Sequence, residues 1–442
     1  MSSMVIDDNN HDDVITINNN NQQIIPIKCL VLGGNGMMGS DFIYHMKTIV
    51  QQKYKDKYQF NITTLNRGNH YWDSQERVDP FIVDKIICDR KKIKKYGEKI
   101  FVNNRKSYDY VIDFSGYKRK FVKYIINNGP DIKKMYIFIS TDSVYEVCKP
   151  ITKSPIVEDC AVRPKDKIEQ EKLNAKDDYG NDKLKCEEYL RLSTTSTTTT
   201  TTANNNNNPF KYLILRLPDV IGPRDNTDRS FNYFLWLRTH KDIGIPLHLK
   251  KKNSNLSFVH CSTVASVVCE SIEMNLLFMK NDDNNINNNI ENEIFNIVDG
   301  HDNGTPLKDF LTIMGKAMGI DNINFATIDQ ISSNNSSDDE DDILNTYYPS
   351  TTLGPITSSK AQKQFIKYKP NDLFDVMHKT VQFYDHVMKL WVNNTCNETI
   401  KEQIDEIVYE DIIDELNMNA EQRKQFLDSL KKHYEGGNNT AL

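Results

Sequence analysis

The 442-residue chain has no CxxC pair, and its eight cysteines stand apart at positions 29, 88, 148, 160, 186, 261, 269 and 396. That spacing excludes a zinc ribbon or a dithiol redox motif and predicts reduced, mostly buried thiols with no metal site. Long apolar runs are missing too. No window approaches the roughly eighteen apolar residues that a membrane span requires. The Asn-rich N-terminal stretch lacks the basic-then-apolar order of a secretion signal, so a soluble, cytoplasmic protein is expected. Nor is there a surplus of positive charge. A net charge of -6 offers no global attraction to nucleic acid or anionic lipid, which favours a small-molecule partner carrying its own phosphates.

Four stretches are too polar and repetitive to bury a core: the tail 1–26, the Thr/Asn run 193–208, and segments near 281–292 and 331–342. Ordering them would cost more entropy than their few apolar groups return, so they are expected to be disordered insertions. Between them, short β-rich runs alternate with helix-like stretches. The runs are Cys29–Leu32, Phe60–Leu65, Lys85–Cys88, Tyr110–Phe114, Met135–Ser140 and Tyr212–Leu217. This rhythm predicts an α/β fold with a doubly wound parallel Rossmann sheet, whose ligands sit at the carboxyl ends of the strands.

The first run feeds directly into Gly33-Gly34-Asn35-Gly36-Met37-Met38-Gly39. Glycines three apart between a strand and a helix let backbone N–H groups approach a pyrophosphate, with the positive helix end behind them. Later, Thr141 closes a strand, and Tyr179 and Lys183 stand four apart, on one face of a helix. A lysine beside a tyrosine stabilises its phenolate, so Tyr179 can exchange a proton with a carbinol or carbonyl oxygen that Thr141 also holds.

In this order the motifs resemble the extended short-chain dehydrogenases/reductases, the NAD-dependent epimerase/dehydratase family, over about residues 27–388. Gly33–Gly39 matches the family's GxxGxxG. The segments Val111–Lys118, Ser140–Glu146, Arg216–Arg224, Phe258–Ala265 and Phe295–Val298 resemble the VIHFAGLK, SSxxVYG, RxxNVYGPR, FIHVDDVA and YNVG segments of UDP-galactose 4-epimerases and their relatives. The resemblance implies Thr141, Tyr179 and Lys183 as the catalytic trio. It further implies a cofactor site from Gly33, Asn35, Gly36, Met37, Met38, Gly39, Asn66, Arg67, Asp89, Ser115, Gly116, Lys118, Lys183 and Pro218, with Asp219 and Arg224 toward the substrate. Lys183 would also hold the nicotinamide ribose.

Asn66-Arg67 stand where NAD users of the family place an acidic residue, and a guanidinium can pair with a 2′-phosphate, so the expected cofactor is NADP in preference to NAD. Asp89 has two readings, an adenine acceptor or a helix N-cap. At the substrate end Leu256 replaces the arginine that grips a nucleotide diphosphate, and Asp219 replaces an asparagine. Ser143 replaces the glutamate of dTDP-glucose dehydratases, which argues against dehydration. Arg224 and Arg229 are the candidates to compensate. The expected activity is hydride exchange with a sugar-like substrate, either epimerisation or reduction.

A second reading resembles the chloroplast stem-loop-binding proteins, relatives that act on RNA. The fold would then be an RNA-binding or redox-sensing scaffold, with Lys91–Lys95, Lys118–Lys123 and Lys250–Lys252 on phosphates. In the domain plan, 27–225 binds the dinucleotide and 226–388 forms a smaller substrate domain with closing helices. In the helical extension 389–442, residues 398–432 read as an amphipathic helical hairpin that packs on the core or mediates association, a homodimer being the candidate assembly. The aromatics of Phe231–Trp236 are either pocket lining or core.

Overall fold

The computed structural model describes residues 16–17, 23–102, 106–195, 210–244, 247–248, 255–278, 290–323, 325–326, 354–414 and 418–435. Seven parallel strands form the central sheet: β1 (Gln23–Leu32), β2 (Tyr58–Asn66), β3 (Asp84–Ile87), β4 (Ser107–Asp113), β5 (Asp131–Thr141), β6 (Lys211–Leu217) and β7 (Glu293–Asn296). Their order is β7-β6-β5-β4-β1-β2-β3. The chain winds outward in both directions from β1, so the crevice opens at the carboxyl ends of β1 and β4.

The strands read as unbroken apolar runs because both faces are covered. In β1, Cys29 and Val31 face the layer that contains Phe42 and Ile43 of α1 (Met37–His45) and Val264 and Val268 of α5 (Cys261–Phe278). Leu30 and Leu32 face the other layer, with Val122 and Ile125 of α2 (Arg119–Asn128) and Cys186 and Leu190 of α3 (Asp178–Thr195). All four β1 residues are fully buried.

A second core lies beyond the crevice. It joins α4 (Arg229–Ile243), α6 (Leu307–Ala317), α7 (Leu373–Val392), α8 (Glu398–Asp405) and α9 (Ala420–Tyr434). Phe231, Tyr233, Phe234 and Trp236 are buried in it, so this aromatic run is core and does not line a pocket. The C-terminal extension packs on the same core: Ile400, Ile404, Phe426 and Leu430 are buried there, and Asn419 and Gln422 close a capping box at the start of α9.

Element ends differ from expectation in two places. The stretch read as tail already contributes to the sheet: Thr16–Ile17 pair antiparallel with Gln23–Ile24, and Ile25 and Ile27 extend the pairing of β1 with Tyr58 and Phe60. Helix α3 runs to Thr195, into the start of the Thr/Asn run. The remainder of that run, most of the tail, most of 281–292 and all of 331–342 lie outside the described residues. All eight cysteines are free thiols, six of them buried. Among the described residues no helix is long and apolar enough to cross a membrane, and no three His, Cys, Asp or Glu side chains group as metal ligands.

His260 ends a short strand (Phe258–His260) paired with Asp219–Ile221, and it is buried between Ser262 and Thr380. Burial lowers its pKa from 6.5 to about 4. The unfolded chain therefore binds the extra proton between pH 6.5 and 4, and stability falls as pH falls through that window. This one group is expected to remove roughly 2 kcal/mol between pH 7 and pH 5. Urea unfolding of the native chain and of His260→Gln at both pH values checks this, the variant losing that part of the pH dependence.

Candidate active site

The glycine turn after β1 assigns three of its four glycines different jobs. Gly33 has φ of +87°, a left-handed conformation that side chains resist. A Cβ on Gly39 would collide with the Gly33 carbonyl and the Gly34 backbone, so glycine there lets α1 lie against the turn. Gly36 is the N-cap of α1 with φ of -75°, and a Cβ there would meet nothing nearer than the Gly33 oxygen at 3.7 Å. The free space above Gly36, with the helix N-terminus behind it, fits a ligand's phosphates.

That space belongs to a cleft of about 630 Å³ that contains most of the expected site. Gly33, Asn35, Gly36, Met37, Met38, Gly39, Asn66, Arg67, Asp89, Ser115, Thr141, Tyr179, Pro218 and Asp219 all line it. Asn35 ties the glycine turn to the end of β2, accepting from Asn66 Nδ2 (3.0 Å) and donating to the Asn69 carbonyl (2.8 Å). Arg67 is exposed on this wall, its guanidinium 3.4 Å from the Tyr71 hydroxyl. Asp89 caps the next turn, accepting from Lys91 N–H (2.8 Å), so the N-cap reading of this residue holds and its carboxylate still borders the cleft.

Arg90, which no local motif singles out, also lines this end of the cleft. Its guanidinium makes a bidentate pair with Asp113 at the end of β4 and donates to Ser115 Oγ at 3.1 Å. Tyr136 donates to the same carboxylate from β5. Arg90 and Tyr136 hold Asp113 ionised below its ordinary range despite its burial. The signal in the sequence was an arginine directly after a strand-terminal aspartate, but its partner is 23 residues away and on another strand.

Thr141 ends β5 and is buried; its Oγ1 accepts from Ser143 N–H (3.2 Å) and caps the turn that follows. Tyr179 stands in the first turn of α3. A Cβ on the next residue, Gly180, would collide with the Ser143 carbonyl, so that glycine lets α3 bring the tyrosine against the Thr141 turn. The phenol is 45% exposed to the cleft. Its pKa is raised, first by desolvation and then by Tyr117, while the Thr141 hydroxyl acts in the opposite direction. Lys183 is buried and donates to the Ile139 carbonyl (2.8 Å), with its ammonium 5.9 Å from the Tyr179 ring centroid and 5.0 Å from that of Tyr117. Burial lowers its pKa to about 8, opposed mainly by Asp113. Lys183 thus sits behind Tyr117 and Tyr179 and does not line the cleft.

Three other expected residues also stand elsewhere. Gly116 is packed on Phe138 and Asp113 below the cleft floor. Lys118 caps α2 and lies 3.7 Å from Asp182. Arg224 is turned away by a positive φ of 65°, its guanidinium paired with Asp73 under the Phe383 ring. Arg229, by contrast, lines the cleft and pairs with Asp219 (2.7 Å). Asp142 lies beside them, its pKa raised well above normal by burial and then by Asp219. Leu256 is buried in the second core.

No family model matches the chain, and no curated protein matches it in sequence. Its fold is shared by solved structures at low identity. One is a UDP-N-acetylglucosamine 4-epimerase from Methanobrevibacter ruminantium M1, 16% identical over 82% of this chain and 99% of that one, with a TM-score of 0.52. Another is a UDP-glucose 4-epimerase from Thermotoga maritima, 17% identical over 82% and 100%, with a TM-score of 0.53. The dTDP-glucose 4,6-dehydratase DesIV from Streptomyces venezuelae is 14% identical over 81% and 97%, with a TM-score of 0.54. The chain therefore shares the Rossmann α/β fold of these two epimerases and this dehydratase.

Because Gly36 has room for a side chain in the protein alone, Gly36→Val is expected to fold normally and to lose dinucleotide binding at least tenfold, about 1.4 kcal/mol. Gly39→Val is expected to lower the melting temperature instead. Thermal melts combined with titration calorimetry separate the two outcomes.

Proposed function

We propose that the protein is an NAD(P)-dependent oxidoreductase or epimerase that exchanges a hydride with an oxygenated carbon of a sugar-like substrate. One observation carries the reading: a single cleft is lined by the open glycine turn, Arg67, Thr141 and Tyr179, with Lys183 directly behind the tyrosine. The part of the chain through residue 225 would hold the dinucleotide, and the segment to 388 would close over the substrate.

When bound, the nicotinamide supplies or accepts the hydride. The protein's own work is proton transfer and orientation. Tyr179 exchanges a proton with the substrate oxygen, and the Thr141 hydroxyl fixes that oxygen by a second hydrogen bond. The Lys183 ammonium, 5.9 Å from the ring centroid, would favour the phenolate through its charge, against the desolvation that raises the Tyr179 pKa. Its pKa of about 8 keeps it largely protonated at neutral pH. The residues fit a dinucleotide: α1 offers its N-terminus to the pyrophosphate, and Arg67 stands at the adenosine end as a partner for a 2′-phosphate, favouring NADP over NAD. On the substrate side Asp219 occupies Arg229, and the arginine of the nucleotide-sugar epimerases is Leu256. Both features favour a hydroxylated substrate with less phosphate charge than a nucleotide-sugar.

Titration calorimetry with NADP and NAD tests the reading first, and absence of binding by either overturns it. Arg67→Asp is expected to weaken NADP about tenfold or more while affecting NAD little, through loss of a charge-assisted contact. Once a substrate is found, Tyr179→Phe should lower the rate roughly 10²- to 10⁴-fold without displacing the cofactor. Reduction needs the protonated phenol and should slow as pH rises while oxidation accelerates, and because the phenol's pKa is raised both changes should fall at the alkaline end of the profile; initial rates in both directions across pH measure this.

A further inference from the structure

The wall that faces the adenosine end of the cleft is fastened from the far end of the chain. After β2, Arg67, Asn69 and Tyr71 line the cleft. The next residue turns the opposite way. Trp72 adopts a left-handed φ of 54°, and its indole is 1% exposed in the second core, 5.2 Å from the Phe231 ring and 5.7 Å from Phe383. This conformation disfavours a bulky residue and persists only where surrounding contacts impose it.

The contacts that impose it come from outside the sheet. The indole Nε1 donates to the Asp225 carbonyl at 3.1 Å. The Trp72 backbone N–H donates to Gln403 Oε1 at 3.0 Å, across 331 residues of sequence. Gln403 is on α8, in the extension beyond the part of the chain that resembles the epimerases. A second tie joins the same elements: Asn397, the N-cap of α8, donates to Glu76 Oε1 at 2.9 Å. The Asp73–Arg224 ion pair anchors the loop from the substrate side. On the other side, Asn69 accepts from Asn35 of the glycine turn, so the loop is continuous with the phosphate cradle.

We propose that α8 is a brace for the cofactor site and that Gln403 is a positioning residue. Through the Trp72 N–H it holds Arg67, Asn69 and Tyr71 in the wall that receives the adenosine half of the dinucleotide. The proposal rests on the cofactor reading above. It gives the C-terminal extension a role in ligand affinity that the substrate domain does not supply.

The test uses the full chain. Gln403→Met removes the acceptor at similar size, whereas Gln403→Glu keeps an acceptor oxygen. Gln403→Met is expected to weaken NADP and adenosine 2′,5′-bisphosphate by the same factor, roughly five- to tenfold, and to leave nicotinamide mononucleotide binding unchanged. Gln403→Glu should restore affinity to about that of the native chain, because the hydrogen bond is kept. Hydrogen exchange should quicken over residues 67–76 in the Met variant and not in the rest of the sheet. Unchanged affinity together with unchanged exchange in that loop overturns the brace, as does equal weakening of both half-ligands with a lower melting temperature. If the native chain binds no dinucleotide, the cofactor reading falls. The exchange pattern then decides the brace separately, because a loop unaffected by Gln403→Met is not held by it.

Discussion

A backbone-to-backbone contact near the start of the chain sets where the rest of the site stands. Gly39 of α1 lies against the Gly33 carbonyl and the Gly34 backbone, closer than any side chain permits. The helix therefore begins directly above the end of β1, and its unpaired N–H groups open onto the crevice between β1 and β4. Had α1 been pushed outward by a Cβ, the space over Gly36 would face a helix flank and not a helix end. A comparable contact occurs at Gly180, where α3 closes on the Ser143 carbonyl and brings Tyr179 to Thr141. Two glycine contacts thus place the glycine turn and Tyr179 on the same cleft.

Charge below the cleft is handled by pairing. Arg90, Asp113 and Tyr136 form a closed set at the Asp89 end of the cleft, and Arg216 and Glu187 form another beneath the Thr141 turn, where Glu187 also accepts from Ser140. Each buried ion has its counter-ion in hydrogen-bonding contact, the condition under which burial is tolerated. Lys183 differs. Its ammonium has a carbonyl partner and three aromatic rings nearby but no carboxylate in contact, and burial consequently draws its pKa toward the working range of an enzyme.

Much of this was legible in the residues. The six strand runs, the glycine turn, Thr141 and Tyr179 came from local pattern, and local pattern governs strands and turns. The aromatic run Phe231–Trp236 could not be assigned by pattern, since core and pocket use the same residues. Arg224 and Arg229 illustrate the limit more sharply. Five residues apart and chemically identical, they differ because a left-handed φ at Arg224 directs it to Asp73, whereas Arg229 opens α4 at the cleft. Gly116 and Lys118 follow a family motif in sequence, but their neighbours Ser115 and Tyr117 line the cleft in their place.

The sequence by itself determined the order of the strands along the chain, the glycine turn after β1 and the spacing of tyrosine and lysine, because each depends on residues within a few positions of one another. Tertiary structure decided which strands became neighbours, which arginine lines the cleft, and how Lys183 is screened by Tyr117. It alone joined Trp72 to Gln403. Such contacts depend on the path of the whole chain, and no local periodicity records them.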